Sequence, residues 1–153
     1  MRILLDIDGV MVPANSWRKP EIHSDGFPVF SPRAVDALRR IIAETNASIL
    51  LTTSHKSRYT PAQWKNFLKE RGIDVKKIDR LPENLLNANR HEEILGWYTK
   101  HPRSLRGTVI IDDDKQLGAL PPDLKERLVL TSSSVGLTDE LAQRAISILQ
   151  AAV

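Results

Sequence analysis

A chain of 153 residues with 41% hydrophobic side chains fits one globular domain, able to bury roughly 68–70% of its unfolded surface and too short for a second full domain. It contains no cysteine, which excludes a disulfide scaffold, a thiolate metal site and a cysteine nucleophile, so any nucleophile or metal ligand must be oxygen or imidazole. Lys and Arg number 22 against 19 Asp and Glu, and the resulting +3 permits an anionic partner without requiring nucleic acid.

In chain order, Arg2 to Ile7 is a compact apolar run of strand length that ends in acid and then Gly9. Residues 9–30 carry Pro13, Pro20, Gly26 and Pro28, which predicts an irregular excursion with room for a small hairpin. Ser31 as N-cap and Pro32 in the first turn open a helix to about Thr45, with Val35, Leu38, Ile41 and Ile42 at helical spacing. Ala47 to Thr52 is a second buried strand. Thr60-Pro61 starts a helix with Trp64, Phe67 and Leu68, stopped at Gly72, and Ile73 to Asp79 has room for a short edge strand.

The next helix runs from Asn89 to about His101, ended by Pro102. Thr108 to Ile111 is the most strand-like segment, β-branched throughout, and leads directly into Asp112-Asp113-Asp114. Leu128 to Leu130 is the last strand, and Thr138 caps a C-terminal helix. Strands alternating with helices predict an α/β fold: a three-layer, Rossmann-like, mainly parallel sheet of about five strands, covered on both faces, forming a single domain over residues 1–153. No run of about 18 apolar residues offers a membrane span, and Asp6 and Asp8 interrupt the N-terminal apolar stretch too early for a signal peptide; the expectation is a cytoplasmic protein without membrane contact.

Two apolar strands end in clustered carboxylates, Asp6 and Asp8 after the first and Asp112, Asp113 and Asp114 after the fourth. In an open parallel sheet the carboxyl ends of the strands border one crevice, which is where ligands bind. Singly, Asp-Gly reads as a turn and Asp-Asp-Asp as a solvated loop or helix start. Together at the ends of two buried strands they predict one site, and carboxylates so gathered must raise a pKa or hold a cation, for which an all-oxygen set suits Mg²⁺. Thr52, ending another strand, offers a hydroxyl, and with the backbone N–H groups from Thr53 onward suits a phosphoryl oxygen; a strand-end Thr is also simply a good β-former.

Asp6-Ile7-Asp8-Gly9-Val10 after an apolar strand, Thr52, Arg90 opening a helix, and Asp112-Asp113 after a later strand resemble, in order, the four motifs of the haloacid dehalogenase (HAD) superfamily. More narrowly, Arg90 to Ile94, Ile110 to Asp114 and Gly136-Leu137-Thr138 resemble small HAD domains grouped with RNA-repair proteins. The third motif is usually Lys, so Arg90 is assigned by position, with Lys76 and Lys77 as competitors and a plain surface arginine as the bland alternative. The resemblance implies a phosphomonoester hydrolase with Mg²⁺ as cofactor. It makes Asp6 the nucleophile that forms an aspartyl-phosphate and also a metal ligand. Asp8 becomes the acid and base, with a metal-binding backbone carbonyl; Asp112 and Asp113 are further metal ligands, and Thr52, Thr53 and Arg90 are phosphate-binding. Asp114 is expected to be solvated.

Superfamily members often carry a cap after the first motif or between the second and third. Residues 9–30 and 54–90 leave no room for a substantial one, which implies an open site suited to large phosphorylated substrates. Trp17, Arg18, Lys19 and His23 in the first loop, and His55, Lys56, Arg58 and Tyr59 after the second strand, interleave bases with aromatics and so suit nucleic-acid phosphates and bases. The bland reading, a solvated loop with one anchoring aromatic, stands ahead of it. Two other functions stand beside the hydrolase: a receiver-like phosphoryl-binding signalling domain, and a catalytically idle HAD fold used for interaction. Receivers place their aspartate after the third strand rather than the first, and retention of both Asp6 and Asp8 speaks against an idle site.

Overall fold

The computed structural model describes residues 1–14 and 19–151. Its centre is a five-stranded sheet of β1 (Arg2–Leu5), β2 (Ser48–Leu51), β3 (Ile78–Arg80), β4 (Thr108–Asp112) and β5 (Leu128–Leu130), every pair parallel and ordered β3-β2-β1-β4-β5. The crossovers run through helices α1 (Pro32–Thr45), α2 (Pro61–Glu70), α3 (Arg90–Lys100) and the short α4 (Pro122–Lys125), and α5 (Asp139–Gln150) follows β5. Away from the edge strand β3, the short strands are mostly apolar on both faces because both are covered. Ile3, Leu5, Ile49, Leu51, Val109 and Ile111 pack with residues of α1, α2 and α5, while Leu4, Ile110 and Leu128 face Ile94 and Trp97 of α3 and Leu124 of α4.

The helix signals take effect almost where the sequence puts them. Thr60 and Gln63 form a reciprocal capping box on α2, Asn89 accepts the Glu92 N–H on α3, and Thr138 accepts the Leu141 N–H on α5. Ser31 departs from expectation: it occupies the N-cap position of α1, yet its hydroxyl makes no capping bond. The edge strand also begins later than Ile73, because Ile73 and Val75 enter the core from an unpaired segment. No large cap stands over the sheet among the described residues, and no described helix is long and apolar enough to cross a membrane.

The excursion after β1 closes as a narrow hairpin, with Ile22 bridged to Pro28, and one buried side chain clamps it to α2. Arg71 donates to both carboxylate oxygens of Asp25 (2.6 and 2.9 Å) and to the carbonyls of Phe27, Pro28 and Phe67, while lying over the rings of Phe27, Phe30 and Phe67. A buried guanidinium with every direction occupied is expensive to truncate, because its partners lose their donors together. Arg71→Ala should lower the unfolding free energy by about 3 kcal/mol in urea denaturation at neutral pH. The Arg71 hydrogen bonds hold the Asp25 carboxyl down at about 2. A depressed acid stabilises fully above its usual value and loses that contribution as pH falls through the depressed one, so the gap between wild type and variant should narrow toward pH 2. A gap constant down to that pH would mean that Asp25 contributes nothing to the clamp.

Candidate active site at the carboxyl ends of the strands

Register dictates where the acids go. Because β1 lies between β2 and β4, the residues just past its carboxyl end meet those of its two neighbours: the Asp6 N–H donates to the Ile111 carbonyl (3.1 Å) and the Thr52 N–H to the Leu5 carbonyl (3.0 Å). The resulting crevice, about 340 Å³, is lined by Asp6, Asp8, Ser54, Arg90, Asp112, Asp113 and Asp114. Asp6 and Asp112 are buried, and one carboxylate oxygen from each of Asp6, Asp112 and Asp113 lies within 4.8 Å of the others.

Arg90, in the first turn of α3, points its Nη1 between two of these acids, 2.6 Å from Asp112 and 3.3 Å from Asp6. It does not balance them. Burial, followed by the Asp112 charge, pushes Asp6 up to about 8 against the opposing pull of Arg90, and burial likewise raises Asp112. The two acids in turn hold the guanidinium proton more tightly, although burial works against its charge. Ionising both acids is therefore unfavourable, a cost that a hard cation would relieve. Arg90 Nε at the crevice and Thr52 Oγ1 at the adjoining end of β2, which is not part of its lining, are buried and have no hydrogen-bond partner among the described residues, a state also found in groups whose partner is a ligand.

Glycine is required where the loops interlock. Gly9 has φ +79°, and a Cβ there would stand 2.0 Å from Asp113 Oδ2; only a bare Cα lets the first loop come so close to the fourth-strand acids. Thr131, just past β5, donates its hydroxyl to the Gly9 carbonyl at 2.7 Å and secures that approach.

The remaining candidates are distributed unequally. Asp8 presents a half-exposed carboxylate whose Oδ2 lies 2.8 Å from His55 Nε2; it stands outside the three-acid cluster, so a metal role for Asp8 rests on its backbone carbonyl. Thr53 is buried, its hydroxyl accepting the His55 N–H. Asp114, expected to be solvated, is partly exposed at the crevice and also caps a 3₁₀ turn over Lys115–Ala119 by accepting the Gln116 N–H.

Lys76 and Lys77 precede β3 and therefore sit at the amino end of the sheet, beside Met1 and Arg2, so that of the three cations considered Arg90 is the one at the acids. Lys56 corrects the expectation of a basic loop side chain reaching for substrate. It is 2% exposed, and its Nζ pairs with Glu93 of α3 at 2.7 Å. Tyr59 is likewise turned inward, edge-on to Phe27, Trp64 and Phe67. Lys19 is exposed but does not line the crevice; Trp17 and Arg18 lie outside the described residues. Two residues that sequence reasoning missed shape the site, Thr131 and Glu93, whose other oxygen stands 4.0 Å from Arg90 Nε. The i,i+3 spacing of Arg90 and Glu93 was the available signal.

The sequence pattern of a known family runs through this geometry: the model of the HAD domain in Swiss Army Knife RNA repair proteins matches residues 2–142. The chain belongs to that family. No curated protein and no solved structure matches it. Membership of this HAD-domain family points to a hydrolase of phosphatase type, and the acidic crevice of the present HAD domain lies where open parallel sheets bind ligands.

Proposed function

We propose that this HAD domain is an Mg²⁺-dependent phosphomonoesterase that acts through an aspartyl-phosphate on Asp6. The observation that carries the reading is a buried carboxylate, Asp6, flanked by the Arg90 guanidinium and two further acids, with the end of β2 alongside, where the buried Thr52 hydroxyl has no partner among the described residues. The donor set fits a hard divalent cation: three carboxylates converge, and burial disfavours the charge of Asp6 and Asp112 without one. Asp6, Asp112, Asp113 and the Asp8 carbonyl would hold Mg²⁺, which when bound neutralises phosphoryl oxygens and favours the ionised form of the acids.

The protein's own groups do the rest. An oxygen of Asp6 attacks phosphorus while the bond to the ester oxygen breaks, and Asp8 gives its proton to the departing alkoxide. Asp8 then takes a proton from water as the water oxygen attacks the same phosphorus, which releases inorganic phosphate and restores the Asp6 carboxylate. Arg90 and Thr52 hold phosphoryl oxygens throughout, with backbone N–H groups from Thr53 onward. Without a large cap among the described residues, the crevice opens to solvent, which supports a large substrate such as a phosphorylated nucleic-acid end.

The test is a screen of nucleotides, sugar phosphates and phosphorylated oligonucleotides with Mg²⁺ and with a chelator. Release of phosphate that needs Mg²⁺ and is fastest from oligonucleotide ends is the expected result. Equal rates in chelator would overturn the metal assignment, and a preference for small esters would overturn the nucleic-acid substrate.

A further inference from the structure

We propose that His55 is a positioning residue for Asp8: it tethers one oxygen of that carboxyl so that the other faces the leaving group. The inference rests on the phosphomonoesterase reading and adds to it a residue outside the four motifs. Asp8 is the most exposed of the three acids Asp6, Asp8 and Asp112, and a carboxyl projecting from a loop into solvent rotates freely unless something holds it. His55 Nε2 lies 2.8 Å from Asp8 Oδ2, while Oδ1 has no partner among the described residues. An oxygen held and an oxygen free is what proton delivery from a fixed direction requires.

The tether is useful only if the histidine itself is fixed, and the loop after β2 fixes it from both sides. Before it, the His55 N–H donates to Thr53 Oγ1 (3.3 Å); after it, the Lys56 N–H donates to the Thr53 carbonyl and the Arg58 N–H to the His55 carbonyl, each at 3.0 Å. The Lys56 carbonyl accepts the Trp64 indole N–H, and the Lys56 ammonium is pinned to Glu93. The backbone of His55 is thus anchored to α2 and α3 while its ring spans from the β2 loop to the β1 loop.

A group that positions a general acid matters most when the leaving group is a poor one. Alkoxides need a proton as they depart, whereas p-nitrophenolate does not. The quantity to compare is kcat/KM, which reports the steps through transfer of the phosphoryl group to Asp6 and is blind to later hydrolysis of the intermediate. His55→Ala should lower kcat/KM for ribose 5-phosphate by about 10- to 100-fold and for p-nitrophenyl phosphate by less than about 3-fold. His55→Gln, whose amide N–H can donate to the same carboxylate, should recover much of the loss. A crystal structure of the alanine variant should show the Asp8 carboxyl no longer in one orientation.

Equal losses on both esters would make His55 a substrate contact or a loop stabiliser and overturn the proposal, as would unchanged kinetics on both. So would an Asp8 carboxyl that keeps its orientation in the alanine variant. Failure of the wild-type protein to hydrolyse these esters and 5′- or 3′-phosphorylated oligonucleotides alike would overturn the phosphomonoesterase reading, and this inference with it. Wild-type turnover combined with a flat His55→Ala profile would overturn the inference alone.

Discussion

Asp6→Asn should abolish Mg²⁺-dependent phosphomonoester turnover, by about a thousandfold or more, while making the metal-free protein more stable at high pH. An amide keeps the volume of the side chain but can neither attack phosphorus as an anion nor repel Asp112. The pH profile of the stability gain follows from the sign of the shift. Asp6 titrates at about 8 in the folded protein against 3.8 in the unfolded chain, with burial as the main cause and the Asp112 charge next. The folded state then binds more protons than the unfolded one between those values, so stability falls with rising pH across that window, and the full penalty stands above about 8.

The variant has no such penalty. Its advantage should be small near pH 4, grow through neutrality and level off above pH 8, reaching several kcal/mol at most. Urea denaturation in chelator at pH 5, 7 and 9 measures it, and saturating Mg²⁺ should shrink it. Full activity in the variant would remove Asp6 as nucleophile; a stability difference independent of pH would remove the buried charge as its cause.

Arg90→Met carries the second large effect, in the opposite sense for stability. Among the described residues Arg90 is the cation that touches both Asp6 and Asp112, at 3.3 and 2.6 Å. Removing it leaves buried carboxylates facing one another, and breaking a buried ion pair from one side costs about 3–5 kcal/mol. Thermal unfolding in chelator should register that loss, and Mg²⁺ should restore more stability to the variant than to wild type, because the metal then supplies the missing positive charge. Turnover should fall about 100- to 1000-fold, the scale of losing one donor that stabilises developing charge. Arg90→Lys should recover part of the stability but less of the rate, since an ammonium cannot present two parallel N–H groups to a phosphoryl oxygen pair. Wild-type kinetics in Arg90→Met would rule out the phosphoryl role.

The alternation of strands and helices was legible because it is local: four apolar runs of strand length fall on β1, β2, β4 and β5 within two residues, and Thr60, Asn89 and Thr138 cap the helices they precede. The carboxylate cluster was legible for a different reason. Parallel strands share one carboxyl edge, so acids that follow two strands lie along it, and the adjacency of β1 and β4 brings these together.

What the sequence hid depends on partners far along the chain. Lys56 looks like a solvated loop cation until Glu93 arrives from α3 to bury it. Arg71 looks like a basic residue closing a helix, and nothing nearby announces that Asp25, Phe27 and Phe30 will enclose it. The choice among Arg90, Lys76 and Lys77 needs the end of the sheet at which each sits, which spacing alone does not encode.

The loop after β2 has a consequence for how this domain can change over time. Within five residues it carries the Thr52 hydroxyl, the His55 contact to Asp8 and the Lys56 pair to Glu93, and the bonds of a single turn hold His55 and Lys56 in phase behind the end of β2. A one-residue insertion or deletion there would rotate all three out of alignment together, so its length is effectively frozen. The segment between Pro82 and Ala88, which holds the exposed Leu85 and Leu86, carries no such constraint, whereas the hairpin around Ile22–Pro28 is held by Arg71. Change in length would therefore be accommodated in that segment, around an unchanging turn after β2.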